Sequence, residues 1–234
     1  MMRGWWRKLS VWLVPKRCAA CGKVVAVNQQ VCKRCDQDMP IIRSPICMRC
    51  GHEKKLCTCK QRRSFYDRLT APFYYEDAAR RAVLRLKNQA DPDAVIWCAD
   101  EMVRVIRRAL DVELISGIVY VPVRETDIVL RDWNPSYLLA QIVAQRLELP
   151  LYDALQKRYD TPPQKELKLQ YRTGNVFGVF DVIDRRVYGK RLLLVDDVCT
   201  TGATLNECAK MLKIYGAVDV SAVTLAIRKR RKLT

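Results

Sequence analysis

The segment from Leu192 to Thr204 contains the residue types needed to hold a phosphorylated sugar. Its apolar start predicts a buried strand, and ligands of parallel α/β sheets bind beyond the carboxyl ends of such strands. Gly202 lets the backbone approach an anion, so that the amides of the turn and of the next helix face a phosphate. Asp196 and Asp197 would repel that phosphate and are expected to accept hydrogen bonds from ribose hydroxyls. The predicted ligand-binding residues are Asp196, Asp197, Thr200, Thr201, Gly202, Ala203 and Thr204.

This segment resembles the signature of type I phosphoribosyltransferases that binds 5-phosphoribosyl-1-diphosphate (PRPP), and every position of the pattern is filled. The resemblance implies PRPP binding with magnesium as the accompanying ion. Members that salvage purines carry an acid where this chain has Thr200, and that acid handles a proton on the nucleobase. The threonine therefore argues against purine salvage and leaves the acceptor open.

Eight of the eleven cysteines form four close pairs near the start of the chain. Three pairs have two residues between their cysteines, and the last pair has one. The two-residue gap lets both sulfurs turn toward one tetrahedral ion, so eight thiolates predict two closed, structural zinc sites. Sequential grouping is the simplest arrangement and interleaved grouping is the alternative. Redox dithiols, disulfides and an iron–sulfur cluster are weaker alternatives, and His52 is a spare ligand. The predicted ligands are Cys18, Cys21, Cys32 and Cys35 for one ion, and Cys47, Cys50, Cys57 and Cys59 for the other.

Composition limits the classes of protein that this chain can belong to. Its 234 residues suit a small module plus one ordinary domain, and a hydrophobic fraction of 50% excludes global disorder. Clustered cysteines argue against a secreted disulfide scaffold. The net charge of +17 favours polyanionic partners. Met1 to Arg17 predicts a short amphipathic helix that packs on the protein or touches anionic lipid, without stable membrane insertion.

The order of predicted elements divides the chain into two parts. Residues 1–62 contain a helix and a double zinc ribbon, and residues 63–234 form the second part. In the second part strands alternate with helices, which predicts an α/β domain with a parallel sheet. The predicted strands are Leu69 to Tyr75, Gly117 to Val123, Arg191 to Val195 and Val218 to Ile227. The predicted helices are Asp77 to Lys87, Ala94 to Leu110, Pro135 to Leu147 and Thr204 to Tyr215, and Tyr159 to Phe180 is predicted to be a long loop.

Further segments narrow the resemblance to the ComF family, which is named for competence and DNA uptake. They are Leu86-Lys87, Val121-Pro122-Val123, Arg131-Asp132-Trp133-Asn134, Thr161-Pro162-Pro163-Gln164, and Leu167, Arg172, Asn175, Gly178 and Phe180. The family implies a cytoplasmic phosphoribosyltransferase-like domain with a zinc-binding head and a link to incoming single-stranded DNA. Arg131 is the expected contact of the diphosphate, and Arg172 lies in a loop expected to close over the sugar. The family usually has glycine where this chain has Asp132, which predicts weaker diphosphate binding if a positive φ is needed.

Two functions from different classes follow from these patterns. The first is a PRPP-binding phosphoribosyltransferase connected with DNA uptake and its machinery. The second is a non-catalytic module that senses PRPP or a nucleotide and holds single-stranded nucleic acid on its basic head and tail. An amidotransferase-linked purine enzyme is disfavoured, because the chain has no N-terminal glutaminase nucleophile.

Overall fold

A computed structural model describes residues 15–59, 64–123, 132–157 and 179–230. Several predictions of the sequence lie outside these residues. They concern the helix before Pro15, most of the loop that starts at Tyr159, and the candidate ligand contacts Arg131 and Arg172.

Five α-helices and eight strands make up the described part of the chain. The helices are α1 (Lys33–Gln37), α2 (Asp77–Gln89), α3 (Pro92–Ala109), α4 (Pro135–Leu147) and α5 (Ala203–Ile214). The strands are β1 (Arg68–Thr70), β2 (Phe73–Tyr74), β3 (Gly117–Tyr120), β4 (Leu151–Tyr152), β5 (Leu155–Lys157), β6 (Phe180–Val182), β7 (Arg191–Cys199) and β8 (Asp219–Ile227). Single 3₁₀ turns lie at Lys54–Leu56, Val112–Leu114 and Arg185–Val187.

The main sheet has the strand order β1-β8-β7-β3-β4, and β2 also pairs with β8. All pairs in this sheet are parallel. β1 and β2 are two pieces of the strand predicted from Leu69 to Tyr75, interrupted at Pro72, which has no N–H to donate to a ladder. The predicted α/β class with a parallel sheet is confirmed.

Side chains of β7 alternate between two cores, one on each face of the sheet. Leu193 and Val195 pack with apolar residues of α2, α3 and α4. Leu192 and Leu194 pack on the other face with apolar residues of α5. All four side chains are buried. Because helices cover both faces, the strand is held rigidly up to the carboxyl end, where the candidate site begins.

The cysteine-rich segment packs directly against the α/β domain. Cys18, Ala19 and Cys35 are buried in the same apolar cluster as α2 and α3. Further along, the Leu69 amide donates to the Met48 carbonyl at 2.7 Å, so the second half of the segment joins the end of the sheet at β1.

Two features differ from the sequence-based elements. β7 extends four residues beyond Val195 because β8 continues beside it, pairing Val198 with Ala226 and Cys199 with Ile227. β5 and β6 form a separate antiparallel pair that the sequence does not predict, and β6 begins at Phe180, the predicted end of the long loop.

In the part of the chain that the structure describes, no helix has the length and apolarity needed to cross a bilayer.

Candidate phosphoribosyl site and metal centres

Asp196 and Asp197 are neighbours within β7 rather than in the turn that follows it. Adjacent strand residues point to opposite faces of a sheet, so the two carboxylates have different surroundings. Both residues are buried, with 9% and 7% of their surface exposed.

The Asp196 carboxylate accepts two hydrogen bonds on one oxygen. Ser136 Oγ, in the first turn of α4, donates to Asp196 Oδ1 at 2.8 Å, and the Asp197 amide donates to the same oxygen at 2.8 Å. Burial raises the pKa of the Asp196 carboxyl, and the negative charge of Asp197 raises it further, to about 7. A carboxyl in this position changes its charge close to neutral pH.

The Asp197 carboxylate forms an ion pair with the lysine near the end of α2. Lys87 Nζ lies 2.9 Å from Asp197 Oδ2, and the lysine side chain is 30% exposed. A lysine near a helix C-terminus is ordinarily a solvated charge, and the only sign of a further role for Lys87 in the sequence is that Leu86-Lys87 belongs to the family resemblance. The structure instead gives it a carboxylate partner at the candidate site.

The entry to α4 is built as its sequence predicts. The Asn134 side chain accepts hydrogen bonds from the amides of Ser136 and Tyr137, and Pro135 occupies the first turn. Asn134 Nδ2 also donates to the Val121 carbonyl at 3.1 Å, which holds the start of α4 above the end of β3. This attachment brings the Ser136 hydroxyl to Asp196.

Asp132 adopts a left-handed backbone conformation, with φ of 60°. This is the conformation that favours glycine, the residue usual at this position in the family that the sequence resembles. Trp133, the next residue, donates from Nε1 to the Leu86 carbonyl at 3.0 Å and so connects this segment to α2.

The turn after β7 leads directly into α5. Gly202 is the N-cap residue and has φ of 81°, a conformation that side chains with a β-carbon rarely adopt. A β-carbon on Gly202 would also lie 3.2 Å from Tyr66 Oη. Thr201 Oγ1 accepts a hydrogen bond from the Ala203 amide at 3.3 Å, and both threonines of the turn, Thr200 and Thr201, are exposed.

A cavity of about 180 Å³ opens beside this turn. Its walls come from the turn, from the second half of the cysteine-rich segment and from the end of the chain. The lining residues are Arg49, Cys50, Cys59, Ser64, Tyr66, Thr201, Gly202, Ala203, Asn206 and Arg230.

The cysteines group sequentially into two clusters. We call Cys18, Cys21, Cys32 and Cys35 the first cluster, and Cys47, Cys50, Cys57 and Cys59 the second cluster. Within each cluster all four sulfurs lie within 4.8 Å of one another. Four of the sulfur–sulfur distances run from 3.2 Å to 3.8 Å. A tetrahedral zinc ion with bonds of about 2.3 Å separates its sulfurs by about 3.8 Å.

Hydrogen-bond donors favour the thiolate, the form that binds zinc, at one cysteine of each cluster, Cys18 and Cys47. Burial instead raises the pKa of the other cluster cysteines with a resolved shift, which are Cys21, Cys35, Cys50 and Cys59. The Cys32 amide donates to Cys18 Sγ at 3.3 Å. Burial raises the pKa of Cys18, but hydrogen bonds from backbone amides outweigh burial and lower it to about 7. Arg81 of α2 donates to Cys35 Sγ at 3.5 Å and places a positive charge against the first cluster. Four thiolates with no open position suit a structural ion rather than a catalytic one.

The remaining candidate ligands lie elsewhere. His52 Nδ1 lies 2.9 Å from the Cys50 carbonyl oxygen and Nε2 lies 3.0 Å from the Arg228 carbonyl oxygen, so both ring nitrogens face backbone rather than a cluster. Cys98 and Cys208 are fully buried in the two cores.

Comparison with known proteins defines the class. Residues 134–234 match a phosphoribosyl transferase domain, and residues 9–65 match a double zinc ribbon domain. The protein therefore joins a double zinc ribbon to a domain of the phosphoribosyltransferase fold. The ribbon match and the two cysteine clusters together support structural zinc.

Three relatives match almost the whole chain. Competence protein F of Haemophilus influenzae is 25% identical, over 90% of this chain and 96% of its own length. DNA utilization protein YhgH of Escherichia coli K12 is 25% identical, over 87% and 86%. Competence protein ComFC of Bacillus subtilis is 23% identical, over 85% and 84%. The similarity to competence and DNA utilization proteins thus extends over nearly the whole chain, in agreement with the resemblance to the ComF family.

Sequence reasoning found the two carboxylates and the turn, but it missed several residues that the structure places beside them. Ser136 contacts Asp196, and Arg49, Tyr66 and Arg230 line the adjoining cavity. Ser136 follows a recognisable N-cap and proline, which is the one signal that pointed to its neighbourhood. Arg131 and Arg172 lie outside the described residues, so their predicted roles stay predictions.

Proposed function

We propose that this protein binds PRPP, together with magnesium, at the carboxyl end of β7. The observation that carries the proposal is the arrangement of Asp196 and Asp197 in the strand immediately before the turn from Cys199 to Ala203 and the N-terminus of α5. The carboxylates and the anion-binding turn are then adjacent, as the sugar and the phosphate of one ligand require. Gly202 supports this assignment, because its backbone conformation leaves the turn without a side chain at that point.

Each part of the site has a distinct task in this proposal. The turn amides and the hydroxyls of Thr200, Thr201 and Thr204 donate to the 5′-phosphate. The two carboxylates accept from the ribose hydroxyls, and as oxygen donors they suit magnesium, which would offset the charge of the diphosphate. Ser136 and Lys87 hold these carboxylates in position. We propose that Arg131 contacts the diphosphate and that Arg172 belongs to a loop that closes over the sugar.

Calorimetry with PRPP and magnesium tests the site. The double variant Asp196→Asn, Asp197→Asn removes both charges with little change in size, and we expect it to abolish binding while the protein stays folded. The variant Asp184→Asn is the matched control, because Asp184 pairs with Arg186 away from the turn. Unchanged affinity of the double variant would refute the assignment.

We further propose that the protein acts in the cytoplasm and in DNA uptake. The names of its relatives, competence protein F, ComFC and DNA utilization protein, support this role. Catalysed transfer would release diphosphate when PRPP meets the right acceptor, so incubation with a panel of bases and oligonucleotides identifies transfer directly. PRPP binding without diphosphate release across that panel would favour the non-catalytic module instead.

Charge supports a second ligand, single-stranded DNA. The net charge is +17, and the basic residues are concentrated in the zinc ribbon and in the tail from Arg228 onward. Counterion release predicts that affinity falls with salt, with a log–log slope of roughly −0.7 for each phosphate contacted. Mobility shifts of a labelled oligonucleotide at several salt concentrations measure this slope. A shift that persists without residues 1–63 and the tail would contradict the proposed surface.

A further inference from the structure

We call the turn from Cys199 to Ala203 the phosphate turn. The cavity beside it is lined by residues of the α/β domain and of one of the two cysteine clusters. Thr201, Gly202 and Ala203 form one side of it, and Cys50 and Cys59 of the second cluster form another. Of the described residues that line the cavity, none belongs to the first cluster. The second cluster therefore adjoins the proposed ligand site, and the first cluster does not.

Two arginines line the same cavity, and each is tied to a metal-binding loop of the second cluster. Arg49 lies in the chain between Cys47 and Cys50. Arg230 donates from Nη1 to Thr58 Oγ1 at 2.7 Å, and Thr58 lies between Cys57 and Cys59. A metal ion in the cluster holds both loops, so it also determines where the two guanidinium groups stand.

A chain of hydrogen bonds connects the second cluster to the end of β7. The His52 ring lies between the Cys50 and Arg228 carbonyl oxygens, with one ring nitrogen within hydrogen-bonding distance of each. The Arg228 amide in turn donates to the Cys199 carbonyl at 2.9 Å, at the residue where the phosphate turn begins. Gly51 fits tightly against the sheet on the same side, since a β-carbon there would lie 3.3 Å from the Leu69 carbonyl oxygen.

We propose that the second cluster is a wall of the phosphate site: Arg49 and Arg230 bind the 5′-phosphate of the ligand opposite the turn, and metal in the cluster raises the affinity for that phosphate. This inference rests on the proposed PRPP site and names further residues of it. Guanidinium groups suit phosphate oxygens, and the two arginines supply positive charge where Asp196 and Asp197 bring negative charge nearby.

Thermodynamic linkage makes the coupling reciprocal. If metal in the second cluster favours the phosphate ligand, the ligand must retain metal in the second cluster by the same factor. The first cluster provides an internal control in the same molecule, because it packs against α2 and α3 and is separate from the cavity.

The first experiment compares two arginine variants by calorimetry with PRPP and with ribose 5-phosphate, both with magnesium. Arg49→Gln is expected to weaken both ligands about tenfold, the loss typical of one charge-assisted hydrogen bond. The control is Arg34→Gln, whose side chain is 82% exposed in the first half of the ribbon, and we expect it to bind like the unaltered protein. A loss confined to PRPP would place Arg49 at the diphosphate instead and overturn the assignment.

The second experiment follows each cluster separately. The zinc-loaded protein is exposed to a chelator, and pulses of alkylating reagent label released thiols, which peptide mass spectrometry assigns to individual cysteines. With the chelator setting a fixed free zinc concentration at equilibrium, we expect PRPP with magnesium to raise the zinc affinity of the second cluster about tenfold, which is measured as less labelling of its thiols, and to leave the first cluster unchanged. Equal labelling with and without PRPP, in protein that binds PRPP by calorimetry, would overturn the coupling and leave the PRPP site standing. Absence of PRPP binding by the unaltered protein would overturn both.

Discussion

The two cysteine clusters have the same donors and nearly the same spacing, yet the fold gives them different neighbours. The first cluster is part of the apolar core over α2 and α3, where Cys18 is completely buried. The second cluster borders the cavity that is also lined by Thr201, Gly202 and Ala203. Under the proposal above, one metal centre serves mainly to complete a core, whereas the other also borders the proposed ligand site.

Loss of the first cluster is expected to have the largest effect on the fold. Cys18→Ser should reduce zinc from about two ions to one and destabilise the protein by several kcal/mol, because a metal-binding free energy of about 10 kcal/mol or more contributes to folding. Thermal unfolding and elemental analysis measure both effects. Cys98→Ser, a buried cysteine outside the clusters, is the control and should keep both ions. Two ions in Cys18→Ser would show that Cys18 is not a ligand.

The corresponding change in the second cluster is expected to act on the ligand. Cys47→Ser should also reduce the zinc content to one ion, and it should weaken PRPP binding by about tenfold, because the loop that carries Arg49 loses its anchor. Calorimetry with magnesium gives the affinity, and the melting temperature gives the stability, which should fall less than for Cys18→Ser. Undiminished affinity after loss of this zinc would remove the distinction between the clusters.

The variant Asp196→Asn tests how the carboxylates affect stability without changing a zinc ligand. The native Asp196 pKa of about 7 exceeds the value of 3.8 for a free carboxyl, so the native state binds more protons between these two pH values. Stability should therefore decrease from about pH 4 to pH 7. Asp196→Asn should flatten this decrease and stabilise the protein above pH 7 by on the order of 4 kcal/mol. Cys47→Ser should instead lower stability and affinity together. Denaturant unfolding at several pH values measures the slope, and an unchanged slope would contradict the raised pKa.

The smallest effect is expected at the connection between the second cluster and the tail. His52→Gln keeps hydrogen-bonding capacity but shortens the bridge between the Cys50 and Arg228 carbonyls. We expect a loss of about 1 kcal/mol in stability and a threefold weaker affinity for PRPP, since one neutral hydrogen bond contributes about that much. Zinc content should stay at two ions. Loss of an ion would mean that His52 acts as a ligand after all.

Local signals in the sequence were sufficient for many of the elements. Asn134 and Pro135 predict the start of α4, and the structure confirms the cap. Gly202 and the apolar run before it predict the strand and turn. The short strands β5 and β6 escaped prediction, because each has only three residues and their stability comes from pairing with each other.

The sequence by itself determined the parallel α/β class, the pairs of thiols and the order of carboxylates and turn along the chain. These depend on periodicity, residue type and short spacing, which are local properties. Only the tertiary structure decided which groups meet across long separations: Lys87 with Asp197, Ser136 with Asp196, and Arg49 with Gly202 across one cavity. Such contacts arise when the helices and the zinc ribbon pack against the sheet. No short segment of the sequence predicts them, because the residues that meet are far apart along the chain.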